Sequence, residues 1–86
     1  MIDFNPNFRE NALTDIVELN GNYYYIDSVD VPFSGCETMV FHCNENGNVS
    51  DWSELYCERY TDAIEMETRH KEIVANLGKI LSTEGR

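Results

Sequence analysis

The stretch Glu54-Leu55-Tyr56-Cys57-Glu58-Arg59-Tyr60-Thr61-Asp62-Ala63-Ile64-Glu65-Met66 is where the hydrophobic period of the chain changes. Before it the period is two. Leu55 and Cys57 alternate with Glu54, Tyr56, Glu58 and Tyr60, which places a strand within residues 52–60 with one apolar and one acid–aromatic face. After it the period is 3.6. Ala63, Met66, His70, Ile73, Leu77 and Ile80 recur at three- and four-residue steps, and Val74 and Leu81 widen the stripe. A helix over residues 61–81 follows, with Thr61 as N-cap and Asp62 in the first turn, where negative charge suits the helix dipole. Lys71 and Lys79 lie towards the favourable C-terminal end. Gly78 weakens the last turn by about 1 kcal/mol against alanine, so the helix is expected to fray there.

Upstream of the change lie three more strand-like segments. Residues 37–43 put Met39, Phe41 and Cys43 on one face and Thr38, Val40 and His42 on the other. They are separated from the fourth strand by Asn44-Glu45-Asn46-Gly47-Asn48, a strong hairpin signal. Residues 23–29 are rich in the aromatic and β-branched side chains that suit a pleated surface. Residues 13–19 alternate weakly, and Asn20-Gly21-Asn22 joins them to the next strand, since Asn-Gly tolerates the positive φ of tight turns. Val31-Pro32-Phe33-Ser34-Gly35 is a connection rather than an element. The fold class is therefore α+β: a four-stranded antiparallel meander over residues 13–60, one C-terminal helix on one face, and a polar arm over residues 1–12, all in one domain. One helix covers one face, so the other is either polar or a binding surface.

Composition narrows the function classes. Eighty-six residues carry 16 acids against six Lys and Arg, a formal charge of −10. At 42% hydrophobic and 12% aromatic residues, the chain is too apolar for a disordered acidic tail. That charge opposes direct binding to nucleic acid or to an anionic membrane. No run of apolar residues is long enough to span a bilayer, and the N-terminus lacks the basic and apolar regions of a secretory signal. Three cysteines, Cys36, Cys43 and Cys57, suit reduced thiols in a cytoplasm better than a disulfide frame. A cytoplasmic monomer or small oligomer is expected, as far as a homodimer.

The string Glu37-Thr38-Met39-Val40-Phe41, then Trp52 with Glu54-Leu55-Tyr56-Cys57-Glu58-Arg59-Tyr60-Thr61, then His70-Lys71-Glu72-Ile73-Val74, resembles a family of small, uncharacterised phage and prophage proteins. Their pattern is an ETMVF strand, a W…CxRY(S/T) strand, and a helix carrying His followed by (Met/Ile)-Val. The resemblance covers roughly residues 37–74. It departs at Arg69, where relatives often have glycine before the histidine, and at Pro32-Phe33-Ser34-Gly35-Cys36, a reduced form of a Gly-rich aromatic loop. The family supplies a context, a mobile-element protein in a host cell, in which small acidic proteins are often inhibitors of host defence. The resemblance thus implies an anti-CRISPR-like, non-enzymatic inhibitor whose partner is a basic, nucleic-acid-handling host protein such as a CRISPR effector nuclease; the alternative is an accessory or structural phage protein that self-associates through its open sheet face.

Charge is the strongest physical feature of the candidate site. From Glu10 to Glu67 there are thirteen acids and one base, Arg59, which leaves −12; residues 68–86 carry four bases and two acids, which leaves +2. Side chains two apart on a strand lie roughly 6.7 Å apart on one face. Glu54, Tyr56 and Glu58 would then form an acid–aromatic–acid row, with Glu45 and Asp51 across the adjacent hairpin. Such a row suits a basic channel shaped for phosphates, and it equally suits plain solvation of an open face. Tyr23 and Tyr25 line the open face if Tyr24 and Ile26 point to the helix, either as an interface for a partner or a second copy, or as cross-strand pairs.

The remaining chemistry is sparse. Cys36 and Cys43 are seven apart and no C-x₂₋₄-C pair exists, so neither metal nor cofactor is expected. Cys43 and Cys57 are read as small hydrophobes that face one another across the hairpin. His42 is read as a surface residue. His70 admits a role as general base or pH switch, or as a core-edge histidine bonded to a carbonyl or a strand residue such as Tyr60. Its spacing pairs it with no serine, cysteine or carboxylate. Phosphate-loop, dinucleotide, nucleophile-elbow and zincin signatures are absent, so no catalytic residues are assigned.

Overall fold

The computed structural model describes residues 12–31 and 35–83. The arm expected over residues 1–12 falls outside them except for Ala12, as do residues 32–34 of the connection. Four strands, β1 (Leu13–Leu19), β2 (Asn22–Val31), β3 (Gly35–Cys43) and β4 (Tyr56–Tyr60), precede helices α1 (Ala63–Ala75) and α2 (Leu77–Thr83). The strands form one antiparallel sheet in the order β1-β2-β3-β4. The α+β class and the meander therefore hold. The single helix does not, because the chain breaks at Asn76.

Two asparagine-led turns set the register. Asn20 (φ 53°) and Gly21 (φ 86°) form a two-residue connection between Leu19 and Asn22. Both central residues have positive φ, the backbone that matches the twist of the flanking strands. At the far end of β3, Asn44 Oδ1 accepts the N–H groups of Asn46 (2.8 Å) and Asn48 (3.0 Å), and Gly47 N–H donates to the Asn44 carbonyl (2.9 Å). The hairpin signal was correctly placed, but the strand after it starts late. The chain stays irregular until Leu55 N–H donates to the Val40 carbonyl (2.8 Å), and β4 begins at Tyr56.

Register decides which face the helices cover. Val17, Tyr24 and Ile26, then Val40 and Tyr56, pack against Ile73, Leu77 and Ile80 of the helices. Full burial of an aliphatic side chain of this size contributes about 1.5–3 kcal/mol, so this layer is the main source of stability. Cys36 and Tyr60 close the same face against Met66. Asp62, rather than Thr61, caps α1: its Oδ1 accepts the Glu65 N–H at 2.8 Å. Asn76 (φ −123°, ψ 26°) ends α1, with its backbone N–H and its Nδ2 both donating to the Glu72 carbonyl at 2.9 Å. Gly78 does not fray the helix. It sits inside α2, where a Cβ would only graze Leu19.

Candidate functional site

β4 keeps Tyr56 and Glu58 on one face, as expected, but that face is turned to the helices, and Glu54 lies outside the strand. Thr38 pairs with Glu58 and Val40 with Tyr56, so Tyr56, Glu58 and Tyr60 face the helices, and Cys57 and Arg59 face away. Tyr56 is a core residue whose hydroxyl donates to Glu58 Oε2 at 2.8 Å. Glu58 receives Arg69 of α1 in a fork, Nε to Oε1 at 2.8 Å and Nη2 to Oε2 at 2.9 Å, while Arg69 Nη1 reaches Glu72 at 2.7 Å. The guanidinium, first of all, holds the Glu58 carboxyl down at about 2. The hydrogen bonds from Glu58 and Glu72 raise Arg69 in turn. Glu58 is therefore a clamp between β4 and α1, already neutralised, and not a free acid awaiting a partner. Glu54 lies half-buried ahead of the strand. Arg59, the one base among the acids from Glu10 to Glu67, bridges Glu37 at 3.4 Å.

His70 is held as sequence spacing could not show. Its Nδ1 lies 2.6 Å from Ser28 Oγ and its Nε2 lies 2.7 Å from Asp15 Oδ2. Ser28 Oγ in turn hydrogen-bonds the Thr38 hydroxyl. One tautomer satisfies the neutral ring: Nε2–H donates to Asp15, Nδ1 accepts from Ser28, and Ser28 accepts from Thr38. The residue types are those of a hydrolytic triad, but Ser28 and Thr38 are both 0% exposed, and no substrate carbonyl reaches that oxygen. The chain of hydrogen bonds instead ties α1 to β1, β2 and β3. The Tyr60 hydroxyl, not the expected partner of His70, is buried beside Thr38 and Glu58 without hydrogen-bond geometry to either, and burial raises its phenol.

The thiols are spread over both faces. Cys36 is buried beneath α1, and its burial, then a hydrogen bond with Asp30, raises its pKa; burial also raises Cys43. Cys43 pairs with Tyr23 and Cys57 with Met39, so they do not face each other across the hairpin. Among the described residues no group of three His, Cys, Asp or Glu side chains converges as a metal-ligand set, and no helix is long and apolar enough to cross a membrane.

The open face carries the feature the sequence left unread. Ile16, Tyr25 and Phe41 are register partners across three strands, and the next row is Glu18, Tyr23 and Cys43. The β3–β4 segment folds back over them as a strap. A Cβ on Gly47 would come within 2.5 Å of Ile16 Cδ1, the far end of an exposed side chain that would have to shift, so the strap backbone lies close over Ile16. Trp52 stands on Phe41 (centroids 4.9 Å, planes at 70°) and on Tyr25 (6.3 Å, 86°). Phe41 is thereby sealed at the centre, while Trp52 remains 62% and Ile16 48% exposed.

Glu18 stands one register row from Ile16 on this face, and Glu45 and Asp51 belong to the strap. Glu18, Glu45 and Asp51 are all exposed. Asp51 Oδ1 accepts the Ser53 N–H at 3.0 Å, and that bond, above all, keeps its carboxyl below the ordinary carboxylate range. A shallow cleft of about 280 Å³ opens beside the strap between His42, Cys43, Asn44, Val49 and Asp51. His42 is exposed, as expected, and stacks on Tyr24 at 5.1 Å, although its strand-mates Thr38 and Val40 are buried. The candidate residues thus divide. Tyr23, Tyr25, Glu45 and Asp51 gather around the strap with Trp52, whereas Tyr56 and Glu58 belong to the helix-covered layer. Comparison with protein-family models, with curated proteins and with solved structures finds no match.

Proposed function

We propose that this protein is a non-enzymatic binding module whose open sheet face, with its strap, docks on a basic, nucleic-acid-handling protein and occludes the surface that nucleic acid would use. One observation carries the reading: an exposed aromatic patch, centred on Trp52 and Ile16, shares the open face with Glu18 and is crossed by a strap carrying Glu45 and Asp51, on a chain of net charge −10. Desolvated aromatic anchors within a polar rim are the common anatomy of protein interfaces, and the negative field selects positive partners and speeds their capture. In the phage context that residues 37–74 resemble, a CRISPR effector nuclease is the narrower form of the same partner, and the host cytoplasm is the place of action.

Self-association through the open face is the competing use of the patch. Bringing two chains of −10 face to face works against it. The test is capture from a host lysate at low and high salt, followed by a DNA-binding assay on each captured protein. Basic partners that are released by salt and lose DNA binding when the protein is added support the proposal. Salt-insensitive capture of acidic or neutral partners would overturn it, and so would a concentration-dependent dimer that buries Trp52.

A further inference from the structure

The strap presents Trp52 in an unusual way. Its indole meets both Phe41 and Tyr25 at steep angles, 70° and 86°. Whichever ring supplies the edge in each contact, the indole is braced from beneath and keeps much of its surface in water, 62% of the residue. A tryptophan left open on a soluble domain would ordinarily invite apolar contact. This one stands directly after Asp51, whose carboxylate is fixed by the Ser53 N–H and held in its charged form. It shares its face with Glu18 and Tyr25, and the strap itself, residues 44–55, has Glu45, Asp51 and Glu54 but no lysine or arginine; His42 adds a weaker favourable charge beside Asp51. An apolar partner would have to strip water from those carboxylates without compensation.

A cation that also has a flat face satisfies both halves of the patch. Tryptophan is the best aromatic acceptor for a cation over its ring, and guanidinium adds planar stacking and a fork that matches a carboxylate. Ammonium offers only a compact, strongly hydrated charge. Resting on the docking role above, we infer that Trp52 and Asp51 form an arginine-reading pocket: a partner arginine stacks on the indole while its guanidinium pairs with the Asp51 carboxylate. The strap would then select arginine over lysine at equal charge, which an acidic surface alone does not do. The partner element is accordingly an arginine-bearing segment of a protein.

Trp52 is the single tryptophan of the chain, so its fluorescence reports on this position alone. The probes are two ten-residue peptides of equal charge, one alternating Arg and Gly, the other Lys and Gly, titrated at about 0.15 M salt, where weak surface attraction is screened. The arginine peptide is expected to shift Trp52 emission and to bind about two- to fivefold more tightly than the lysine peptide, the scale of one exposed cation–π contact. By calorimetry, Trp52→Leu should remove most of the arginine preference, and Asp51→Asn should weaken the arginine peptide more than the lysine peptide; circular dichroism checks that both variants fold.

Equal, salt-sensitive binding of the two peptides with unchanged emission would overturn the arginine pocket and leave the acidic docking role standing. Failure of both peptides to bind at low salt would sink the docking role as well. Emission that shifts with protein concentration alone would assign the patch to a second copy of the chain. If Trp52→Leu unfolds the protein, Trp52→Phe, which keeps an aromatic face, provides the second reading. It should retain part of the arginine preference, and a full, unaltered preference would count against Trp52.

Discussion

Replacing Glu58 by glutamine separates a structural clamp from a functional acid. In the folded chain the Arg69 fork holds the Glu58 carboxyl at about 2, against an ordinary 4.5. Taken at full value, linkage converts that gap to about 3 kcal/mol at neutral pH. The Glu58 side chain is a quarter exposed and that of Arg69 a third, so solvent screening reduces the expected contribution to about 1.5 kcal/mol. For a domain of this size that corresponds to a melting temperature lower by roughly 6–12 °C. The pH dependence has a definite sign. A carboxyl whose pKa is depressed on folding stabilises fully above 4.5 and loses that stabilisation as pH falls towards 2. Thermal melts of wild type and Glu58→Gln should therefore differ fully at pH 7, converge between pH 4.5 and 2, and nearly coincide at the acid end. Protonation of the other acids affects both proteins alike and cancels in the difference. Equal melting temperatures at pH 7, or a gap unchanged at pH 2.5, would refute the clamp and return Glu58 to the pool of free surface acids.

Ser28→Ala should cost about 1–3 kcal/mol, because it leaves the buried His70 Nδ1 and the Thr38 hydroxyl without their partner. Thr38→Val, which removes only the end of that chain, should cost less, and denaturant midpoints of the two variants test the order. Gly47→Ala places an L-residue at φ +83° against Ile16. The backbone conformation should cost about 1–2 kcal/mol, part of which Gly47→Asn recovers because asparagine tolerates that region, while both variants bear the contact with Ile16; wild-type melting of Gly47→Ala would contradict the seating of the strap.

The meander and the stripe on the helices were legible because local signals carried them. Asn20-Gly21 and Asn44-Glu45-Asn46-Gly47-Asn48 are turn chemistry, and Met66, His70, Ile73, Leu77 and Ile80 keep a helical period. The assignment of Tyr24 and Ile26 inward and Tyr23 and Tyr25 outward also holds. The face of β4 was misread for a physical reason. Leu55 and Cys57 look like its core side, while Glu58 looks like solvent, yet Glu58 is turned inward because Arg69, eleven residues later, neutralises it. The ties of His70 to Ser28 and Asp15 span 42 and 55 residues, distances at which no local pattern acts. Trp52 was read as part of a strand, and only the register of Ile16, Tyr25 and Phe41 shows why an aromatic is needed above them. The break at Asn76 has a local cause, since its side chain competes for the Glu72 carbonyl, but the unbroken apolar stripe concealed it.

We propose the strapped open face, rather than net charge as such, as the docking surface. Two double reversals test it with the same change in charge: Glu18→Lys on the open face with Glu45→Lys in the strap, and Glu65→Lys with Glu67→Lys on α1, all four positions being exposed. The affinity of each variant for the arginine peptide is the measurement, taken at about 0.15 M salt so that charges beyond some 8 Å are largely screened. The open-face pair is expected to weaken binding at least about thirtyfold and the helix pair no more than about threefold. Equal losses from the two pairs would contradict the account, leaving an acidic surface with no address.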